Sequence, residues 1–172
     1  MSVLIKIDYS TVGFPKKAEE TKSNLEKTIL TSASEFYSEA RLIDDKYLNS
    51  MNDRVIKIYF QPFFGSSYNV CAGGKENIFL AIPSSLGRLA GHSFHEFSHS
   101  DDYAKELIHY PLSQVEKVKC EIRAYRKTIG YLKKLPTRLF YSEVEKECFE
   151  LLMQDKLKEY LGKASKLGLF IN

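Results

Sequence analysis

The sequence has little of what would place it in most specialised classes. It holds three cysteines, Cys71, Cys120 and Cys148, and no two of them form a CxxC pair. An odd and widely spaced set is a poor framework for disulfides or for a thiolate metal site, so reduced, buried thiols are expected. No apolar run approaches the ~20 residues that a membrane helix needs. The opening MSVLIKIDYS is too short and too polar for a signal peptide. A cytosolic protein without a membrane partner is the default expectation, although a non-classical secretion route would leave no such mark. Net charge is equally sparse. At +3, with its lysines scattered, the chain lacks the basic concentration that indicates nucleic-acid binding, although a mildly basic surface stays compatible with it.

What is present is an ordinary globular balance. Hydrophobic residues make up 44% and charged residues 27%, which argues against disorder, and 172 residues suit one domain with a sizeable core. We expect a single domain over 1–172, with residues 1–99 forming a sheet and helix subdomain and 100–172 a helical one.

The order of elements is legible from periodicity. SVLIKI reads as a strand ending near Asp8 and Tyr9. After Pro15, Leu25, Ile29, Phe36, Ala40, Ile43 and Tyr47 recur at helical spacings, giving a long amphipathic helix that can bend at TSAS. RVIKIYF is a second strand, QPFFGSSYN a loop, and Val70–Ala72 and NIFLAI flank GGKEN as a hairpin. Pro83 ends that strand and Ser84 or Ser85 can cap a helix running through Leu86, Leu89, Ala90, Phe94 and Phe97. Gly87 and Gly91 weaken this helix, which points to close packing against another element. Further helices open at Ser113 and Ser142. Strands and one helix come first and helices alone follow, an α+β arrangement.

The chemistry concentrates in FHEFSH, residues 94–99, which uses two of the four histidines. His95 and His99 are four apart, so on a helix their rings project from one face and can converge on one metal ion. Glu96 then stands beside the metal, where it can take a proton from a water. The bland alternative is a solvent-facing helix end whose His and Glu are merely polar.

Catalytic zinc takes three protein ligands. A third histidine in the spacing HxxGxxH is missing, because Asp102 and Lys105 occupy its glycine and ligand positions. A glutamate from a later helix is the other solution, and Glu106, Glu116 and Glu121 are the candidates. On the helix opening at Ser113, the stripe Val115, Val118, Ile122, Tyr125, Ile129 and Leu132 is expected to be buried. At 100° per residue Glu121 lies about 70° from the centre of that stripe and Glu116 about 150°. Ser113-x-x-Glu116 also matches a capping box, which gives Glu116 a structural task. Glu121 is therefore the expected third ligand.

HEFSH followed by EIRAY resembles the HExxH…ExxA pattern of gluzincin-type metallopeptidases, especially the compact zincin domains of the ImmA/IrrE and ArdC-like groups. ENIFLAIP ahead of GHSFHEFSHS is similar to the strand that precedes the motif helix in those groups. The resemblance spans about residues 68–132, and the chain departs from the ArdC-like pattern at Ser100-Asp101-Asp102, where that group carries Thr-Gly. It implies a zincin-like fold with a small N-terminal sheet and long helix, an active-site helix, a glutamate helix and a C-terminal helix. It also implies zinc held by His95, His99 and Glu121, with Glu96 as the base.

Such a site is expected to hydrolyse a peptide or isopeptide bond, so a protein or peptide is the expected partner. An oxyanion needs a further electrophile, for which His109 and Tyr110 between the two ligand helices are candidates, while Tyr125 is expected in the core. His92 is expected beside the ligands or at the surface, and Asp101 or Asp102 to orient a ligand histidine, cap or face solvent. An extended peptide could pair with the edge of NIFLAI, unless that strand lies inside the sheet. Two other readings compete: a catalytically silent zincin-fold module in an antirestriction or DNA-associated setting, and a purely structural zinc protein. The intact Glu96 favours hydrolysis, because neither alternative requires a base there.

Overall fold

The structure is a computed structural model that describes residues 4–8, 19–41, 55–61, 67–72, 75–81, 84–104 and 111–171. In chain order these form β1 (Leu4–Asp8), α1 (Glu19–Arg41), β2 (Val55–Gln61), β3 (Tyr68–Ala72), β4 (Lys75–Ala81), α2 (Leu86–Ala104), α3 (Gln114–Lys134), a 3-10 turn (Thr137–Leu139) and α4 (Glu143–Lys166). The expected α+β order is present. Within α1 the helix continues through Thr31–Ser34, and the expected positions Ile43 and Tyr47 lie outside the described residues.

The strands form one sheet in the order β1-β2-β4-β3, with β1, β2 and β4 parallel and β3 antiparallel to β4. The hairpin is as expected, pairing Ala72 with Lys75 and Tyr68 with Phe79. One expectation is corrected. NIFLAI belongs to β4, which is hydrogen-bonded to β2 on one side and β3 on the other, so it offers no free edge to a peptide.

Alternation along the strands makes the sheet two-sided. Ile56, Ile58, Phe60, Ile78 and Leu80 are buried, while Lys57 is exposed and Tyr59 stacks half-buried on Phe79 with ring centroids 5.2 Å apart. A strand with one face in the core and one toward water reads in this way.

The buried face meets α1 and α2. Phe94 on α2 sits edge-on to Phe36 of α1 at 5.0 Å and stacks on Tyr131 of α3 at 4.1 Å. The Tyr131 hydroxyl is hydrogen-bonded to Ser32 Oγ of α1 at 3.2 Å, which ties the helices on either side of α2 to each other. Gly87 and Gly91 pack as their sequence positions imply. A Cβ on Gly87 would lie 2.4 Å from Phe140, and one on Gly91 would lie 2.7 Å from Phe149 and 2.9 Å from Leu132. The absence of side chains there lets α3, α4 and the segment between them close on α2.

The helix ends follow their local chemistry. Ser113 and Glu116 form the expected capping box, and Ser142 Oγ accepts from Glu145 N at 3.1 Å. Gly168, with φ of +69°, turns the chain after α4 in the left-handed conformation that glycine tolerates. Leu169 and Ile171 then fold back against Val118, Ile122 and Ala164. Val115 is a correction, being 36% exposed rather than part of the α3 stripe. Cys148 is likewise exposed where a buried thiol was expected, Cys120 is buried, and the Cys71 side chain lies outside those described. No helix among the described residues is long and apolar enough to cross a membrane.

Candidate metal centre

Helix α2 places His95 and His99 one turn apart, with their Nε2 atoms 3.1 Å from each other. Glu121 reaches them from α3, Oε2 standing 3.5 Å from His95 Nε2 and Oε1 3.8 Å from His99 Nε2. One ligand atom from each of the three lies within 4.8 Å of the others, the arrangement of a group that could hold a metal ion. The fit can be checked against coordination geometry. Metal–ligand distances of ~2.0–2.2 Å around a tetrahedral ion put neighbouring ligand atoms ~3.3–3.6 Å apart. The separations of 3.1, 3.5 and 3.8 Å, the last two to different oxygens of the Glu121 carboxylate, fall within a few tenths of an ångström of that range. Two imidazoles and a carboxylate also match the donor set of catalytic zinc sites that keep one position open.

The solvent-facing alternative is excluded by burial. His95 is 9% exposed, His99 8% and Glu96 3%, while the Glu121 side chain retains 18% and marks the open side. Burial lowers the His99 pKa to about 3, with the field of His95 adding to the effect, so this ring is neutral at pH 7 and its nitrogen lone pair is available. Burial pushes Glu121 the other way. Hydrogen bonding to His95 and the nearness of both rings outweigh it, and the carboxyl sits below its ordinary value as the anion that a cation requires. Burial raises Glu96 to about 7, opposed by His95 and reinforced by Glu121.

The surroundings orient the ligands. Cys120, the residue before Glu121, places Sγ 2.9 Å from His99 Nδ1. With Nε2 turned to a metal, Nδ1 carries the proton and the sulfur accepts it, the role usually filled by a carboxylate or carbonyl. Burial holds the Cys120 thiol well above its ordinary pKa, so it is an inert neighbour rather than a nucleophile. His95 Nδ1 is buried with no hydrogen-bond partner among the described residues. Its ring lies 4.5 Å from that of Tyr125, which in turn stacks on Tyr160 at 5.7 Å. Ser100 Oγ just past His99 donates to the buried Glu76 of β4, fixing the end of α2 to the sheet.

Of the residues expected at the site, His95, His99 and Glu121 are brought together, and Glu96 is buried next to His95 in the chain. Glu106, His109 and Tyr110 lie outside the described residues. Glu116 is engaged in its capping box. Tyr125 corrects its expectation as a core residue, for it is half-buried against a ligand ring. Asp101 and Asp102 correct theirs too. They are buried, and pair with Lys127 and Arg123 of α3 rather than cap or face solvent. His92 sits edge-on to Phe149 at 5.2 Å, one turn before His95, and is not one of the three residues that could hold the ion. Cys120 was missed because a lone cysteine carries no spacing; its position next to the ligand glutamate is the signal that could have found it.

No known protein family, characterised protein or solved structure matches the chain.

Proposed function

We propose that the protein is a zinc-dependent metallopeptidase of the gluzincin type, which cleaves a peptide or isopeptide bond in a protein or peptide substrate. The observation that carries this reading is the approach of His95, His99 and Glu121 to within 3.1 to 3.8 Å of one another, with the buried acid Glu96 following His95 on the same helix. His95 and His99 through Nε2 and Glu121 through a carboxylate oxygen would hold the ion. A zinc ion held in this way acts as a Lewis acid and brings water within reach of deprotonation near neutral pH.

The remaining steps belong to the chain. Glu96 accepts a proton at its carboxylate as water adds to the scissile carbonyl, and returns that proton to the leaving nitrogen, so one buried acid serves both halves of the cycle. Cys120 keeps His99 in the tautomer that turns Nε2 to the ion. Tyr125 follows Glu121 by one helical turn, and helical side chains lean toward the preceding turn. Its phenol is therefore directed to the Glu121 side of the site, where an O–H can donate to a developing oxyanion. Burial and the nearby Glu121 keep that phenol protonated, its pKa raised above the ordinary value. A binding module that never hydrolysed would have no use for a fully enclosed acid at position 96.

The test is elemental analysis of untagged protein together with the Glu96→Gln variant. We expect about one zinc per chain in both, and peptide hydrolysis in the wild type reduced at least 100-fold in the variant. Undiminished hydrolysis by Glu96→Gln would remove Glu96 as the base, and protein that takes up no zinc would remove the metal centre.

A further inference from the structure

Two consecutive acids, Asp101 and Asp102, stand in the last turn of α2 and are 0% and 1% exposed. Carboxylates are costly at that place twice over, through desolvation and because the C-terminal end of a helix carries the negative pole of its dipole. Both are met by bases from α3. Asp102 Oδ2 accepts from Arg123 Nε at 2.9 Å and is ion-paired with Nη2 at 2.7 Å, and Asp101 Oδ2 accepts from Lys127 Nζ at 3.1 Å. A hydrophobic seam would join the two helices at lower cost, so the directional contacts need a reason.

Their placement around α3 supplies one. At 100° per residue, Arg123 and Lys127 lie about 200° and 240° round the helix from Glu121. Cys120, Ala124 and Thr128, all buried, occupy the arc between them, and Cys120 touches His99 of α2. Helix α3 thus rests on α2 along its middle, with the ion pairs on one flank and Glu121 on the other. Apart from the Cys120–His99 contact, the packing along the middle is non-directional, and the ion pairs add directional contacts on the flank that oppose a roll of α3 about its axis. With side-chain tips ~6 Å from the helix axis, a roll of about 10° carries the Glu121 carboxylate about 1 Å. A coordination site tolerates only ~0.2 Å.

We propose that the Asp102–Arg123 and Asp101–Lys127 pairs form an outrigger that sets the roll of α3 and so places Glu121 on the two histidines. These four are positioning residues for the metal ion, which they do not touch. The proposal deepens the metal-centre reading and rests on it.

The test uses the full-length chain, with Zn2+ affinity measured by competition against a chromophoric chelator and coordination read from the visible absorption of the Co2+ form. Asp102→Asn and Arg123→Gln are each expected to weaken Zn2+ binding 10- to 100-fold, the range found when groups that orient metal ligands are removed. The Co2+ bands should fall in intensity or shift as the glutamate ligand is displaced. The double variant D102N/R123Q, which can restore an amide-to-amide hydrogen bond, should bind more tightly than either single variant. Arg123→Lys keeps the charge and the fold but loses the two-point contact, and is expected to bind about threefold to tenfold more weakly than wild type. It carries the test if a single charge deletion does not fold. Asp155→Asn, which breaks only the exposed pair with Lys158, should bind as wild type. Variants at Asp102 and Arg123 that melt earlier yet bind both ions as wild type would reduce the pairs to a purely structural role and overturn the proposal. A wild type that binds neither ion overturns the metal-centre reading and this proposal with it.

Discussion

Four helical glycines, each replaced by alanine, give a test of the packing that assembles the site. Alanine is favoured over glycine in a helix by about 1 kcal/mol. Gly130 of α3 and Gly162 of α4 are exposed, and a Cβ on either meets nothing within 4 Å. Gly130→Ala and Gly162→Ala should therefore each stabilise the chain by ~0.5–1 kcal/mol. The α2 glycines face the opposite balance. A new Cβ would stand 2.4 Å from Phe140 at Gly87, and 2.7 Å from Phe149 and 2.9 Å from Leu132 at Gly91. Carbon atoms rest at ~3.5–4.0 Å, so each neighbour must retreat by about 1 Å. Phe149 and Leu132 are 0% exposed and Phe140 6%, which leaves them little room to move. Overpacking typically costs ~1–3 kcal/mol, which exceeds the propensity gain. We expect Gly87→Ala and Gly91→Ala to lose about 1–2 kcal/mol net, or roughly 2–8 °C in Tm for a chain of this size. Urea unfolding of the four variants reads the signs directly. Leu132 of α3 meets α2 at Gly91, one turn before His95, so Gly91→Ala should also weaken zinc binding while Gly130→Ala and Gly162→Ala leave it unchanged. A stability gain in all four variants would refute the close approach of α3 and α4 to α2.

Two further outcomes follow from the site. Zinc at a hundred times its Kd should stabilise the folded wild type by about 2.7 kcal/mol, and Glu121→Ala should lose that increment in paired melts with and without zinc. A variant that kept the whole zinc-dependent shift would disqualify Glu121 as a ligand. The acid stability of the metal-free chain should depend on His92, whose pKa is lowered from 6.5 to about 4 by burial, with His95 and Arg88 adding to it. The unfolded chain binds the proton first, so this contribution is complete above pH 6.5 and is lost as pH falls toward 4. At 1.36 kcal/mol per pKa unit it amounts to at most about 3 kcal/mol. His92→Leu should flatten that part of the stability curve, and an unchanged slope would show that His92 is not the group responsible.

The parts of the molecule legible in the sequence were those with a period or a fixed spacing. Leu25, Ile29 and Phe36 announced α1, Ser113 and Glu116 announced the start of α3, and the step of four between His95 and His99 announced a shared face. Glu121 could be chosen over Glu116 because helix geometry and a capping box sort two acids of equal chemistry. Other features hid because they depend on what lies across a gap in the chain. NIFLAI looks the same as an interior or an edge strand, and only pairing with both β2 and β3 decides between them. Val115 fits the α3 stripe by angle, yet it stands in the first turn and remains exposed. Asp101 and Asp102 resemble solvated residues near a helix end until the facing bases of α3 are seen.

Helix α2 carries the deepest conflict between stability and composition. Ser93, His95, Glu96, Ser98, His99, Ser100, Asp101 and Asp102 are all buried on it, whereas the other buried polar side chains among the described residues are scattered singly over α1, β4, α3 and the turn before α2. A helix enclosed by α1, α3 and the sheet would be most stable if apolar on every side, since each buried polar group must recover its lost hydration from a partner. The recoveries are visible one by one. Ser98 bonds to Phe94 O, Ser100 to Glu76, His99 to Cys120, Asp101 to Lys127 and Asp102 to Arg123. His95 Nε2 and the Glu121 carboxylate face each other at 3.5 Å, the outer limit of hydrogen-bond reach, on a helix where burial raises the pKa of Glu96 to about 7. Most polar groups of α2 away from that point are matched to neighbours, although Ser93 Oγ has no hydrogen-bond partner among the described residues, while the separations at the point itself suit a cation. Incomplete mutual satisfaction at the place where three candidate ligand atoms approach one another is what a site shaped for an ion would leave.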